Sequence, residues 1–221
     1  MAEITWYGHA CFRLKDKDAT LITDPYDRSL GLGTLGQKAD IVTISHDHPH
    51  HNAISSVKGE PFVANGPGEY EVRGVFITGV WSFADDQKGK MHGRNTIFLF
   101  HLGDLVVCHL GSLGHTLNSQ QVEAIGDVDV LLVPVGFNTT LTTTKAIEVI
   151  TQIEPKIVVP MHYDRSANGK AGNGATAGDA DPLALFTKEM GLKEWEAQDK
   201  LSVKGADLPE TTRVVVLDAR V

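Results

Sequence analysis

The sequence predicts an α/β protein built from two packed β-sheets with helices outside them. Three observations point there. The half up to Leu110 reads as short β-type runs separated by turn residues. The half after it alternates buried strands with helical faces. Apolar residues make up 42% of the 221, enough to fill a large core.

Taken in order, residues 4–7, 10–14 and 19–23 are the opening strands. Residues 39–45 (ADIVTIS) form a continuous apolar run, as expected of a strand buried on both faces. Residues 61–64, 70–72 and 75–80 come next. Residues 96–102 and 105–110 are joined across Gly103-Asp104, a pair with the composition of a tight hairpin turn. Residues 119–125 are helical, with Asn118 as N-cap. Residues 128–135 (VDVLLVPV) are a buried strand, 144–153 a helix with an apolar face, and 157–160 another buried strand. Residues 182–190 form a helix capped by Asp181, and 214–217 a last strand. The low-complexity stretch 166–181 (SANGKAGNGATAGDAD) has almost no large apolar residues and reads as a mobile loop. It is not a linker, because the segment C-terminal to it is too short for a second core, so residues 1–221 read as one domain.

Bulk properties narrow the function. The formal charge of −8 makes nucleic acid a poor default partner and favours solubility. No window approaches the ~20 apolar residues of a membrane span. The opening MAEITWYGHACFRL reads as a first strand rather than a signal peptide. Cys11 and Cys108 sit inside expected strands and read as buried thiols of a cytoplasmic protein.

The chemistry concentrates in histidine. The chain has ten, and four fall in the run Ser45-His46-Asp47-His48-Pro49-His50-His51, directly after the buried ADIVTIS strand. Strand ends are where α/β proteins place ligands. An extended segment puts His46 and His48 on one side, and a turn after Pro49 brings His50 and His51 back toward them. Neutral imidazole suits zinc, iron and nickel. A solvated polar loop is the plainer alternative, outweighed by the density of imidazoles. His162 comes after KIVVPM, another strand end, and is a natural distant ligand. Asp24, in ITDPY, either orients a ligating imidazole or starts a turn before Pro25. His9 has a structural or supporting role. His92 is a possible replacement ligand, His115 is either a solvated loop histidine or a replacement ligand, His109 faces either way along its strand, and His101 lies on the surface. No G-x-S-x-G or other Ser-His-Asp pattern stands out.

The segment SHDHPHH resembles the H-x-H-x-D-H motif of the metallo-β-lactamase superfamily. More narrowly, the chain is similar to the bacterial and archaeal branch of metal-dependent hydrolases related to the ascorbate-6-phosphate lactonases. ITWYGHACFRL, ITDPY, GPGEYEVRGVFITGV, CHLGSLGH, GDVDVLLVPVG and PKIVVPMHY match that branch's blocks in the same order. The resemblance implies a four-layer αββα sandwich with a metal site at one edge between the sheets. Its metal-binding histidines fall on His46, His48, His51 and His162. Three positions depart: the motif's Asp is His50, the aspartate that usually bridges two metals is Ser112, and a histidine after the middle strands is Ala84.

Those departures have consequences. Two cations held close together need a bridging anion, and Ser112 offers a neutral hydroxyl, Ala84 nothing. The expected site therefore shrinks to one ion per chain, zinc or another divalent metal such as manganese or iron. His46, His48 and His162 would hold it, with His50 or His51 as a further ligand and His50 also as a catalytic base. The resemblance then implies hydrolysis of a small lactone, ester or phosphoester by a metal-activated water. The alternative is an inactive relative that keeps the fold for binding a ligand or partner. Redox chemistry on iron ranks lower. A small-molecule substrate is the expected partner, and the oligomeric state, a homo-oligomer included, is open.

Overall fold

The computed structural model describes residues 1–17, 19–136, 140–163 and 181–220. The strands are β1 (Ala2–Trp6), β2 (Phe12–Lys15), β3 (Thr20–Thr23), β4 (Ile41–Thr43), β5 (Phe62–Ala64), β6 (Gly68–Val72), β7 (Val75–Phe83), β8 (Arg94–Leu102), β9 (Leu105–His109), β10 (Val130–Pro134), β11 (Ile157–Met161), β12 (Leu201–Val203) and β13 (Arg213–Val214). The helices are α1 (Ser119–Ile125), α2 (Thr143–Ile153) and α3 (Pro182–Glu189).

The strands form two sheets. One has the order β12-β1-β2-β3-β4-β5, the other β13-β11-β10-β9-β8-β7-β6. In the first sheet the β1–β2 and β2–β3 pairs are antiparallel, while β3, β4 and β5 run parallel. In the second, β6 to β9 form an antiparallel meander, and β9, β10, β11 and β13 run parallel. The central parallel strands β4, β10 and β11 are fully buried, which explains their unbroken apolar runs.

One core joins the sheets, drawing Ile4, Phe12, Leu21 and Ile41 from the first and Phe98, Val107, Leu131 and Val158 from the second. Alternate residues of β3 and β4, Ile22 and Val42, point away from it. They pack with Tyr26, Leu35 and Val57 in a smaller cluster. Helices α1 and α2 lie against β7 and β10 of the second sheet. The first sheet's outer layer is thinner, with the 3-10 turns Arg28–Leu30 and Ile54–Ser56 and their loops. This is the αββα arrangement that the sequence predicts.

Local chemistry sets the helix ends. Asn118 and Gln121 form a reciprocal capping box at α1, worth about 1 kcal/mol. Asp181 caps α3, whose Pro182 needs no N–H partner there. β12 has no counterpart among the strands expected from sequence. It has three residues in a charged segment and gains its place by pairing with β1. The expected loop 166–181 lies outside the described residues, apart from Asp181. Both cysteines are buried and free. No helix among the described residues is long and apolar enough to cross a membrane.

Candidate metal centre

The site lies where strand ends of both sheets meet. β3 delivers Asp24, β4 delivers Ser45 and the histidine run, and β11 delivers His162. His9 sits in the turn between β1 and β2. Its carbonyl accepts from the His162 N–H at 3.0 Å and from Trp6 Nε1 at 3.0 Å, which ties the first sheet to the second. Among the described residues six non-glycine ones have positive φ, and three of them are His9 (52°), Asp24 (41°) and His162 (63°). Each such residue costs about 1–3 kcal/mol unless its surroundings hold it. Here strained backbone coincides with the side chains that converge.

Nine residues line a cavity of about 230 Å³: His9, His46, His48, His50, His51, Ala84, His92, Ser112 and His162. Among the described residues, one group of three brings its ligand atoms within 4.8 Å of one another: His9, His51 and His162. Their rings are close, 3.8 Å between centroids for His9 and His162 and 4.7 Å for His9 and His51.

Hydrogen bonds fix the tautomers. Asp24 is fully buried, and its carboxylate can only accept. It takes the Ser45 N–H at 2.7 Å, the Ser45 hydroxyl, and His51 Nδ1–H at 2.8 Å. His51 therefore keeps its lone pair on Nε2, facing the cavity and 3.0 Å from Ser112 Oγ. His9 Nδ1 is buried with no hydrogen-bond partner among the described residues.

His46, His48 and His50 stand on the rim, each with one ring nitrogen hydrogen-bonded. His46 Nδ1–H donates to the Arg94 carbonyl at 3.0 Å. His48 Nδ1 accepts the backbone N–H of His50 at 3.3 Å, so its lone pair is occupied. The Ser29 hydroxyl donates to Asp27, and so accepts from His50 Nε2–H at 3.2 Å.

Burial sets the charge states. Desolvation pushes His162 down to about 3, and it pushes His9 well below its usual value, with His162 and His51 adding repulsion. Desolvation also lowers His46, His48 and His50. For Asp24 burial alone would raise the carboxyl, but His51 and the Ser45 hydroxyl outweigh it, and the group stays below the usual carboxylate range. Burial thus favours the neutral form of His9, His46, His48, His50 and His162, near one buried carboxylate. That donor set fits a divalent transition metal: imidazole nitrogens that converge, one of them on a ring oriented from behind by a carboxylate.

The positions that depart from the family pattern all face this space. Ala84 lies on the cavity wall, beside Asp85. Four backbone N–H groups, from Gln87, Gly89, Met91 and His92, converge on Asp85 and bring it to about 2 despite the cost of desolvation. They fold the loop that carries His92 to the cavity mouth. Ser112 is buried in the loop after β9. His115 points elsewhere, with Nε2 on the Phe83 N–H and Nδ1 on the Thr116 carbonyl. His109 turns inward to the Ala10 carbonyl at 2.9 Å. His101 is exposed on β8. Sequence reasoning gives His9 only a supporting role and does not pair Ser112 with His51. The signal for His9 is faint: a histidine beside a turn glycine, with φ of 93° at Gly8.

Comparison with known proteins identifies relatives of the whole chain. Residues 3–162 match the family model described as the beta-lactamase superfamily domain. A UPF0173 protein of Pyrococcus abyssi is 29% identical over 191 residues, 76% of this chain and 87% of its own length. A protein named UPF0173 metal-dependent hydrolase from Desulforamulus reducens is 25% identical over 219 residues, 82% of this chain and 96% of its own. Among solved structures, a Thermotoga maritima chain named for a Zn-dependent hydrolase of the metallo-beta-lactamase superfamily superimposes with a TM-score of 0.77. It is 37% identical, with 98% of each chain covered.

Proposed function

This chain belongs to the beta-lactamase superfamily domain family, and from that premise we propose that it is a hydrolase acting with one divalent transition-metal ion held by His9, His51 and His162. The observation that carries this reading is the meeting of one nitrogen from each of those three imidazoles within 4.8 Å, with Asp24 behind His51. The names of its relatives as metal-dependent hydrolases support it. When bound, such an ion supplies a Lewis acid and lowers the pKa of water.

The chain's own residues do the rest. Asp24 fixes the His51 tautomer, so that Nε2 faces the cavity. His46, His48 and His50 ring the mouth, where they meet substrate or provide a further ligand, and His50 is placed to carry a proton as a general base. One ion rather than two is expected because Ser112 and Ala84 bring no carboxylate and no imidazole to the cavity. Two cations there would repel without a bridging anion. A cavity of about 230 Å³ suits a small lactone, ester or phosphoester. Zinc, manganese and iron all accept this nitrogen set, and a cytoplasmic location accords with two free buried thiols.

A second reading rests on the same two substitutions: a relative that has lost catalysis and binds a small ligand. One experiment separates them. The protein is purified without a histidine tag, stripped by chelator, reloaded with zinc, manganese or iron(II), and assayed on a lactone, a carboxyl ester and a phosphodiester. The hydrolase reading predicts activity that disappears on stripping and returns on reloading. A folded protein that takes up no metal and turns over none of the three contradicts it.

A further inference from the structure

The first sheet carries chemistry on its outer face that the metal centre does not use. Phe12 and Leu14 on β2 point into the shared core, so Arg13 between them points outward. Its cross-strand partner is Thr5 on β1. The thin outer layer leaves a cavity of about 320 Å³ on this side, whose lining includes Arg13, Arg220, Tyr7, Tyr26, Thr34 and Gln37. It shares no lining residue with the histidine cavity.

The walls of this cavity are fixed from several directions. The Tyr26 hydroxyl donates to the Tyr7 carbonyl at 2.8 Å. The backbone N–H of Arg220 donates to the Trp6 carbonyl at 2.9 Å, which brings the segment after β13 beside Tyr7. A Cβ on Gly8 would fall 2.5 Å from Leu32 Cδ1, so the loop that carries Thr34 and Gln37 presses on the turn after β1.

Charge singles the cavity out. In a chain of formal charge −8, its lining holds two guanidinium groups and no carboxylate. Arg13 Nη2 donates to Glu3 Oε1 at 2.9 Å, but Glu3 also takes Lys200 Nζ at 2.6 Å. Three cations therefore face one carboxylate. Arg13 Nε and Thr5 Oγ1 are buried with no hydrogen-bond partner among the described residues. Buried polar atoms are rarely left so, and the guanidinium keeps donor capacity that Glu3 does not use.

We infer that this cavity is a binding site for a small phosphate monoester. Two guanidinium groups from distant parts of the chain suit a dianion. Because Glu3 already takes one Nη2 bond, the Arg13 fork is not free for the flat, two-bond match that a carboxylate prefers. A tetrahedral phosphate needs no such plane. Its three terminal oxygens accept single bonds from several directions, and Thr34 and Gln37 add neutral donors to the two arginines. The organic remainder has its own wall: Tyr7, Tyr26 and Leu35 belong to the small apolar cluster on this face. The site lies apart from the histidines and does not rest on the metal reading.

The test is calorimetric titration of the full chain, kept in chelator, with inorganic phosphate, phenyl phosphate and benzoate. Saturable binding of phenyl phosphate is expected, with inorganic phosphate weaker. Benzoate, the same ring bearing a flat carboxylate, should bind at least about 10-fold more weakly than phenyl phosphate. Arg220→Gln, at an exposed position, and Arg13→Gln, both verified as folded by thermal melts, should each weaken phenyl phosphate about 10-fold, the scale of a lost hydrogen bond to a charged group. Lys188→Gln removes the same charge from α3 and should leave the affinity within about two-fold, because such a surface charge is screened. No saturable binding of phenyl phosphate, full affinity in both arginine variants, an equal loss in Lys188→Gln, or benzoate as tight as phenyl phosphate overturns the proposal. Failure of the metal reading is seen separately, as absence of zinc uptake by the wild-type protein.

Discussion

The cavity has an inner and an outer set of imidazoles, and they are built differently. The inner set, His9, His51 and His162, comes from three separate places in the chain. His9 and His162 have positive φ, and His51 is braced by Asp24, which has positive φ too. The outer set, His46, His48 and His50, comes from one local run whose rings hydrogen-bond to carbonyl, amide and hydroxyl groups nearby. If the inner set holds the metal, the ligands come from residues that the sequence scatters, with only His51 drawn from the dense run. What separates the two sets is that the inner one is assembled by long-range packing, on a backbone held in a costly conformation.

The largest stability effect should come from the scaffold of the inner set. Gly111→Ala adds a Cβ at positive φ against Ser45 and Asn95, both backed by buried hydrogen bonds. Loss of about 2–4 kcal/mol is expected, from strain together with overpacking. That corresponds to a fall in melting temperature of roughly 4–16 °C for a chain of this size. A melting temperature within error of wild type would mean the loop is slack and Ser112 is not held.

Asp24→Asn comes next. It keeps the shape but takes away the charge and the acceptor that set the His51 tautomer. Metal affinity should fall about 10–100-fold, as when such a supporting carboxylate is removed elsewhere, and calorimetric titration with zinc checks it. Unchanged affinity would put His51 outside the ligand set.

Acid sensitivity sharpens the contrast further. Burial depresses His162 to about 3 and His9 well below 6.5. Above the unfolded value of 6.5 both states are neutral there, and no penalty arises. As pH falls below it, the unfolded chain takes up protons that the folded protein refuses. Stability of the chelated protein is then lost progressively down to the folded values. Thermal melts of stripped protein at pH 7 and pH 5.5 should differ by several degrees, and His162→Ala should flatten the slope. An equal slope in that variant contradicts the assignment.

The smallest effect belongs to the rim. His48 is exposed, so His48→Ala should change stability by no more than about 0.5 kcal/mol. A larger change, read from chemical denaturation, would mean that the rim carries structural weight of its own.

Much of this arrangement is legible in the sequence. The unbroken apolar runs that become β4, β10 and β11 mark the parallel strands, and the histidine run at the end of β4 marks the cavity. Asp24 stands out as a carboxylate at a buried strand end, although sequence alone does not choose between turn former and imidazole partner. The structure resolves that by placing its Oδ2 on His51. Less is visible where the answer depends on long-range packing. His9 meets His162 only because the first turn of one sheet docks on the last buried strand of the other. Ser112 reads as a lost ligand by position, and only the folded loop brings its hydroxyl to His51. β12 is too short to be seen without its partner β1.

The central claim is that the inner imidazoles, His9 included, hold the metal. Elemental analysis of untagged wild type, His9→Ala and His48→Ala, prepared side by side and exposed to the same zinc concentration, tests it most directly. The expected result is about one zinc per chain in the wild type and in His48→Ala, and a sharp loss in His9→Ala. Full occupancy in His9→Ala, with loss in His48→Ala, would move the metal to the rim and contradict the account.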